Sequence, residues 1–126
     1  MKQRTEEWIQ KAEGDWRIAQ RELDSEEPVW DGICFHAQQC AEKYLKAVLE
    51  EQEVEVPKVH DLVVLLDRTE EWSKEVAALR SALARLSTFG VATRYPGMDA
   101  DEEAAREAMH TAGQVRSAVR QALEVV

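Results

Sequence analysis

The sequence predicts an all-α protein, an up-and-down bundle of four longer helices and one short helix. Apolar residues recur at spacings of three and four over most of the 126 positions, as they do along amphipathic helices that pack into a bundle. Only five glycines and three prolines interrupt this pattern, and we find neither an internal repeat nor a linker. Because 44% of the residues are apolar, the chain can build one core, and we expect a single helical domain over residues 1–126.

The first predicted helix runs from about Thr5 to Leu23. Pro28 follows it and suits the first turn of the next helix, because proline has no backbone N–H to leave unbonded. The apolar stripe of this first helix consists of Trp8, Ala12, Trp16 or Ile9, Ala19 and Leu23.

The second predicted helix runs from about Val29 to Glu51 and has two faces that can pack against other elements. Its core face comprises Trp30, Ile33 or Cys34, Ala37, Ala41, Tyr44 or Leu45, and Val48. Its second, mixed face comprises Phe35, Gln39, Glu42, Lys46 and Leu49. A helix exposed only to solvent does not need this second face, so we expect it to cover another helix or a partner subunit.

The remaining elements follow an extended connector at Val54–Pro57. We predict a short helix from Leu62 to about Arg68 and a longer one from roughly Trp72 to Leu86. The segment from Ser87 to Asp101 contains a proline and two glycines and is predicted to be irregular. The last helix is predicted to begin near Asp101, where acidic residues favour a helix N-terminus, and to run to about Glu124.

The charge of the chain narrows the classes of function. Sixteen Lys and Arg against 25 Asp and Glu give a net charge of −9. An acidic chain is a poor general polyanion binder, because it lacks a uniform positive field, but a local basic patch remains possible. The uncharged stretches are far shorter than the about 18–20 apolar residues of a membrane span. No secretory signal is visible at the start, so we expect a cytoplasmic protein with no membrane contact.

The two cysteines, Cys34 and Cys40, are interpreted as core residues. On one helix they are about 9 Å apart along the axis, which is too far for a disulfide. His36 lies four residues before Cys40, but a zinc site needs more ligands that converge in space. We therefore predict neither a metal nor a cofactor site.

His60-Asp61 lies directly before the short helix and allows two interpretations. Either residue can cap the helix by accepting from its free backbone N–H groups. Alternatively, His60 lines a cleft and titrates near neutral pH, with Asp61 orienting its ring.

Arg94-Tyr95-Pro96 is the loop sequence with the clearest chemical potential. Arginine binds phosphate through its forked N–H groups, and tyrosine stacks on bases. Lys43 and Lys46 on the second helix would add local positive charge. The structural alternative is that Tyr95 packs on the bundle and Arg94 pairs with a carboxylate.

Arg106 and His110 are one turn apart on the last predicted helix and therefore share a face. A ribonuclease that needs no metal can use such a pair, with His110 as general base on a 2′-hydroxyl and Arg106 on the phosphate. The alternative is an ordinary exposed polar face.

The sequence FHAQQCAEKYLKAVL at residues 35–49 closely resembles the signature helix of the HEPN domain family. Asp15-Trp16 in the first helix, His60-Asp61-Leu62 and Arg94-Tyr95-Pro96-Gly97 are similar to further blocks of that family, in the same order. The resemblance implies an all-α bundle of four to five helices that forms homodimers. It also implies nucleotide binding and, in many members, a minimal nucleotidyltransferase partner in a two-component, often toxin–antitoxin, system.

Catalytically active members of the family carry an arginine, four to six intervening residues and a histidine, and cleave RNA without metal. Here three residues separate Arg106 from His110, and Ala112 stands where one branch of the family has a modified tyrosine. The resemblance therefore favours a binding protein over a ribonuclease.

We accordingly predict a protein that binds a nucleotide or an RNA phosphate and acts with a nucleotidyltransferase. Arg94, with Lys43 or Lys46, holds the phosphate, while Tyr95 stacks on the base and His60 makes a polar contact. The alternatives are an endoribonuclease that uses Arg106 and His110, and a non-catalytic dimeric interaction subunit.

Overall fold

A computed structural model describes residues 1–69 and 72–125, and these contain helices and no strand. The all-α prediction is confirmed. The helices are, in chain order, α1 (Gln3–Leu23), α2 (Trp30–Glu51), α3 (Leu62–Arg68), α4 (Lys74–Ala77), α5 (Arg80–Ala92) and α6 (Glu102–Ala122). The described residues thus form the four longer helices that were predicted, with two short helices where one was predicted.

Helix α2 is the centre of the bundle, and α1, α3, α5 and α6 all pack against it. Small residues such as Ala37, Cys40 and Ala41 are fully buried on α2 and allow its neighbours to approach closely. The mixed face of α2 is covered within the chain over much of its length, because Glu42, Lys46 and Leu49 are buried. Phe35 and Gln39, nearer the start of α2, are only half-buried.

The prediction of one helix from Trp72 to Leu86 is wrong, because two helices occupy this part of the chain. A four-residue helix, α4, ends at Ala77, and α5 begins at Arg80 and continues to Ala92. The predicted loop from Ser87 to Asp101 is therefore helical over its first six residues. Only its second part, where Gly97 has a φ of +90°, makes the turns that its composition predicts.

The packing of Gly90 explains why the segment from Ser87 was wrongly predicted to be irregular. A Cβ at this position would lie 2.7 Å from the Cβ of Gln38, closer than packed carbon atoms approach. Glycine serves here to bring α5 against α2, and it does not mark a turn. The close packing of these two helices places the C-terminal end of α5, and Arg94 after it, beside α2.

Carboxylates cap two of the helices that frame the candidate site. The Oδ1 atom of Asp61 accepts hydrogen bonds from the backbone N–H groups of Val63 and Val64, at 2.9 and 3.3 Å. The Oδ1 atom of Asp101 accepts from the N–H of Ala104 at 2.8 Å. Each cap satisfies donors that a helix leaves unbonded in its first turn, and the capping interpretation of Asp61 is confirmed.

None of the helices in the described part of the chain is both long enough and apolar enough to cross a membrane.

Candidate functional site

Four residues of α2 form a strip, partly open to solvent, that we call the α2 strip: Phe35, His36, Gln39 and Lys43. At 3.6 residues per turn they lie within an arc of about 100° on one side of the helix. All four are half-buried. Residues from α1 and from the segment after α5 contact this strip, so it brings together parts of the chain that are distant in sequence.

Arg94 lies at the first end of the α2 strip. Its guanidinium carbon is 4.4 Å from the centre of the Phe35 ring, within the range of a cation–π contact. Among residues 1–69 and 72–125, Arg94 has no ion-pair partner. An aromatic ring therefore holds the side chain while its N–H donors remain available, and the neighbouring Tyr95 is 65% exposed.

Asp15 of α1 anchors the middle of the α2 strip. Its carboxylate is buried and lies 2.8 Å from Nδ1 of His36 and 2.5 Å from the ammonium of Lys43. Because an ionised carboxylate only accepts, the hydrogen of neutral His36 is on Nδ1 and Nε2 carries the free lone pair. The Phe35 ring meets the His36 ring edge-on, with 5.1 Å between their centres.

Asp15 was not predicted as a site residue, although the sequence contains a signal for it. Asp15 is three residues after Ala12 and four before Ala19, so it occupies an apolar-stripe position of α1. A charged residue in such a position is buried only if it is paired, and the pairing residues His36 and Lys43 are indeed on the facing helix.

A second polar cluster lies along the mixed face of α2, around Glu42. This carboxylate is 3% exposed and accepts from the ammonium of Lys46 at 3.0 Å, while Nδ1 of His60 lies 3.0 Å away. The prediction that Asp61 orients His60 is therefore wrong, because Glu42 provides the carboxylate that contacts His60. The imidazole is 65% exposed and stands two helical turns along α2 from Phe35.

The structure places the two predicted lysines in different environments. The Lys43 side chain is 23% exposed, whereas that of Lys46 is 8% exposed. The Lys46 ammonium lies between Glu42 and the Trp8 ring, whose centre is 5.5 Å away. Lys43 can thus be reached from solvent, while Lys46 is held by groups of the protein.

Arg106 and His110 lie on the exposed side of α6, away from the α2 strip. The guanidinium of Arg106 donates to Glu102 at 2.9 Å, one turn back along the same helix. His110 lines a separate cleft of about 530 Å³ between α1, α4 and α6, whose wall also includes Trp16 and Glu75. The structure does not place Arg106 in that cleft.

Both cysteines are buried thiols, as the sequence predicts. Burial, together with the negative charges of Asp31 and Asp101, raises the pKa of Cys34 to about 11, and burial also raises the pKa of Cys40. Neither thiol is ionised near neutral pH, so neither is a nucleophile or a ready metal ligand. Among the described residues, no group of three or more His, Cys, Asp or Glu side chains is arranged to hold a metal ion.

Comparison with known proteins assigns the chain to a family. A model of the HEPN domain matches residues 5–122. The chain belongs to the HEPN domain family. No curated protein matches it in sequence.

Two solved structures are similar to this one over almost their whole length. The crystal structure of TT1696 from Thermus thermophilus matches with a TM-score of 0.82 and 26% identity, covering 96% of this chain and 99% of that chain. The structure of ST0689, an archaeal HEPN homologue, matches with a TM-score of 0.73 and 26% identity, covering 96% and 98%. These matches support the helical arrangement described above for this HEPN protein.

Proposed function

We propose that this HEPN protein binds a nucleotide or an RNA phosphate on the α2 strip. The observation that carries the proposal is the placement of Arg94, whose guanidinium is stacked on Phe35 and has no carboxylate partner in the described part of the chain. Arg116 also lies over an aromatic ring, that of Trp16, but it pairs with Glu13. In a chain of net charge −9, an arginine left without a carboxylate is well suited to hold an anionic ligand.

The α2 strip supplies the other groups that a nucleotide requires. Lys43, whose ammonium is paired with Asp15, offers its remaining N–H donors at the far end. The exposed Tyr95 ring can stack on a base, since every base has a π-face. His60 adds a polar contact from the mixed face, two helical turns along α2. These assignments keep Arg94, Tyr95, Lys43 and His60 as ligand contacts.

Two of the predicted contact residues act indirectly in this proposal. Lys46 is nearly buried and stabilises the Glu42 carboxylate, which in turn holds His60. Asp61 caps α3 and so fixes the segment that carries His60. Replacing either residue should affect binding through position and not through a lost contact with the ligand.

Substitution of Arg94 tests the proposal, with Arg85 as the matched control. Arg85 lies on α5 and pairs with Glu107 on α6. Its replacement by alanine removes the same charge as Arg94→Ala does. We expect Arg94→Ala to weaken nucleotide affinity at least tenfold. The substitution removes a charge-assisted hydrogen bond to the phosphate, which is worth about 1.5–3 kcal/mol. Equal affinities of the two variants in calorimetric titration, with both proteins folded, would reject the phosphate role of Arg94.

We also propose that the protein forms a homodimer and acts with a minimal nucleotidyltransferase, in a two-component, toxin–antitoxin-like system. Membership of the HEPN family supports this, since such arrangements are frequent in the family. A single domain over residues 1–126 and a cytoplasmic location are part of the same proposal. Light scattering on purified protein tests the dimer: a particle mass near the chain mass of 14.4 kDa would contradict it.

A further inference from the structure

The side-chain amide of Gln39 has an orientation that its neighbours determine. The backbone carbonyl of His60 can only accept, so the amide nitrogen of Gln38, 2.8 Å away, must be the donor. The Oε1 atom of Gln38 is then turned to Gln39 and accepts from its amide nitrogen at 2.9 Å. Glu42 Oε1, a second acceptor, lies 3.4 Å from the same nitrogen. Both donors of Gln39 are thereby directed into the protein.

The residues that accept the hydrogen bonds of Gln39 are buried, and this makes the arrangement rigid. Gln38 is fully buried and Glu42 is 3% exposed, so reversing the Gln39 amide would set two acceptor oxygens against each other. A buried acceptor without a donor costs about 1–3 kcal/mol. The carbonyl oxygen of Gln39 therefore remains outward, and it has no hydrogen-bond partner within residues 1–69 and 72–125.

His36, three residues earlier, presents a second acceptor on the same strip. Its Nδ1 donates to the buried carboxylate of Asp15, and neutral Nε2 then offers its lone pair. Nothing in the described part of the chain bonds to this atom, and the side chain is 28% exposed. Side chains three apart on a helix are neighbours, with about 5–6 Å between their Cβ atoms.

We propose that the α2 strip reads a guanine base through these two acceptors. Guanine carries two adjacent donors on one edge, the ring N1–H and the exocyclic amino group, whereas uracil carries one. Two neighbouring acceptors next to the Arg94–Tyr95 segment are the groups that such an edge requires, and in this proposal Arg94 takes the phosphate of the same nucleotide. This inference rests on the proposed nucleotide-binding function and adds the class of base to it.

A series of three purine nucleotides tests the inference on the unmodified protein. GMP offers two donors, IMP lacks the amino group, and purine riboside monophosphate lacks both donors. We expect affinity to fall about tenfold at each step, because each step leaves one acceptor unpaired. Calorimetry at pH 8 measures the three dissociation constants.

The variant Gln39→Met tests whether α2 supplies the acceptors, and Gln114→Met on the exposed side of α6 is its control. Methionine keeps the length of the side chain and removes its carbonyl. We expect the ratio of GMP to purine riboside monophosphate affinity to fall from about one hundred to about ten in Gln39→Met. In Gln114→Met the ratio should not change.

The outcomes separate the inference from the function on which it rests. Equal affinity for the three purines would leave nucleotide binding intact and overturn the reading of guanine. A GMP preference that Gln39→Met does not reduce would also overturn it. If the protein binds none of the nucleotides, the proposed function itself fails and the inference fails with it.

Discussion

Asp15 is the residue on which the geometry of the α2 strip depends. One carboxylate fixes the His36 ring and the Lys43 ammonium, and through them it fixes which of their atoms are available on the strip. Its burial is the reason that it can do so, since a buried charge is retained only when it is paired.

Asp15→Asn should destabilise the protein and weaken nucleotide binding. Asparagine keeps the shape of the side chain but offers one acceptor where the carboxylate offers two, so Lys43 or His36 loses its partner. We expect a loss of about 1–3 kcal/mol in the free energy of unfolding, measured in urea. The exposed Asp99 provides the control, Asp99→Asn, and an equal effect of the two changes would contradict the role of Asp15.

At the scale of single elements, the packing of α5 on α2 positions Arg94. The approach of the two helices requires glycine at position 90, where a Cβ would lie 2.7 Å from the Cβ of Gln38. Helix α1 also contains a glycine, Gly14, but a Cβ there would meet no atom within 4 Å.

The two glycines should respond to alanine in opposite directions. Gly90→Ala forces α5 away from α2, and overpacking of this kind costs about 1–3 kcal/mol. Gly14→Ala should stabilise α1 by about 0.5–1 kcal/mol, because alanine is the better helix former. Thermal unfolding of both variants checks this. A Gly90→Ala protein as stable as the unsubstituted one would show that the contact between α5 and α2 is not close in solution.

Glu13 joins α1 to α2 and α6 and makes the stability of the fold depend on pH. Its carboxylate accepts from Arg116 at 2.7 and 2.8 Å and from the hydroxyl of Tyr44. Burial alone would raise the pKa of Glu13, but the hydrogen bonds from Arg116 and Tyr44 outweigh it and the pKa is lowered.

A lowered carboxyl pKa stabilises the folded state at neutral pH. That contribution is present above the pKa of the unfolded chain and is lost as pH falls through the lower, folded value. We therefore expect Glu13→Gln to lower the melting temperature at pH 7 and to make it less sensitive to pH below about 4.5. A Glu13→Gln protein that loses stability in acid as steeply as the unsubstituted one would contradict this assignment.

The elements also show what the sequence can and cannot predict. The short helix at Leu62–Arg68 is confirmed with its predicted bounds, because a capping aspartate and an apolar run both mark it locally. The helical residues at the start of the predicted Ser87–Asp101 loop were missed, because glycine at position 90 packs against Gln38, a contact between residues that are distant in sequence. His60 was proposed from the sequence as a site residue, but its carboxylate partner Glu42 is eighteen residues away in sequence and has no local signal.

At the scale of the whole molecule, the acidic charge and the placement of Arg106 both oppose a general ribonuclease. Arg106 is paired with Glu102, while His110 faces the cleft beside Trp16. The acidic surface also disfavours a long polyanion. The proposed single nucleotide at Arg94 would bring less negative charge to this acidic surface than a long polyanion does.

Incubation with a mixed RNA pool in EDTA should accordingly give no cleavage above that of the His110→Ala protein. Gel analysis of the RNA compares the two proteins directly. RNA fragments that appear with the unsubstituted protein and disappear with His110→Ala would establish the endoribonuclease alternative.

The most direct test of nucleotide binding on the α2 strip is an NMR titration of the ¹⁵N-labelled protein with GMP. We expect the largest shifts in the backbone amides of residues 35–43 and 94–95, and small shifts in α6. Shifts centred on His110 and the α6 cleft, or none at saturating nucleotide, would contradict the account.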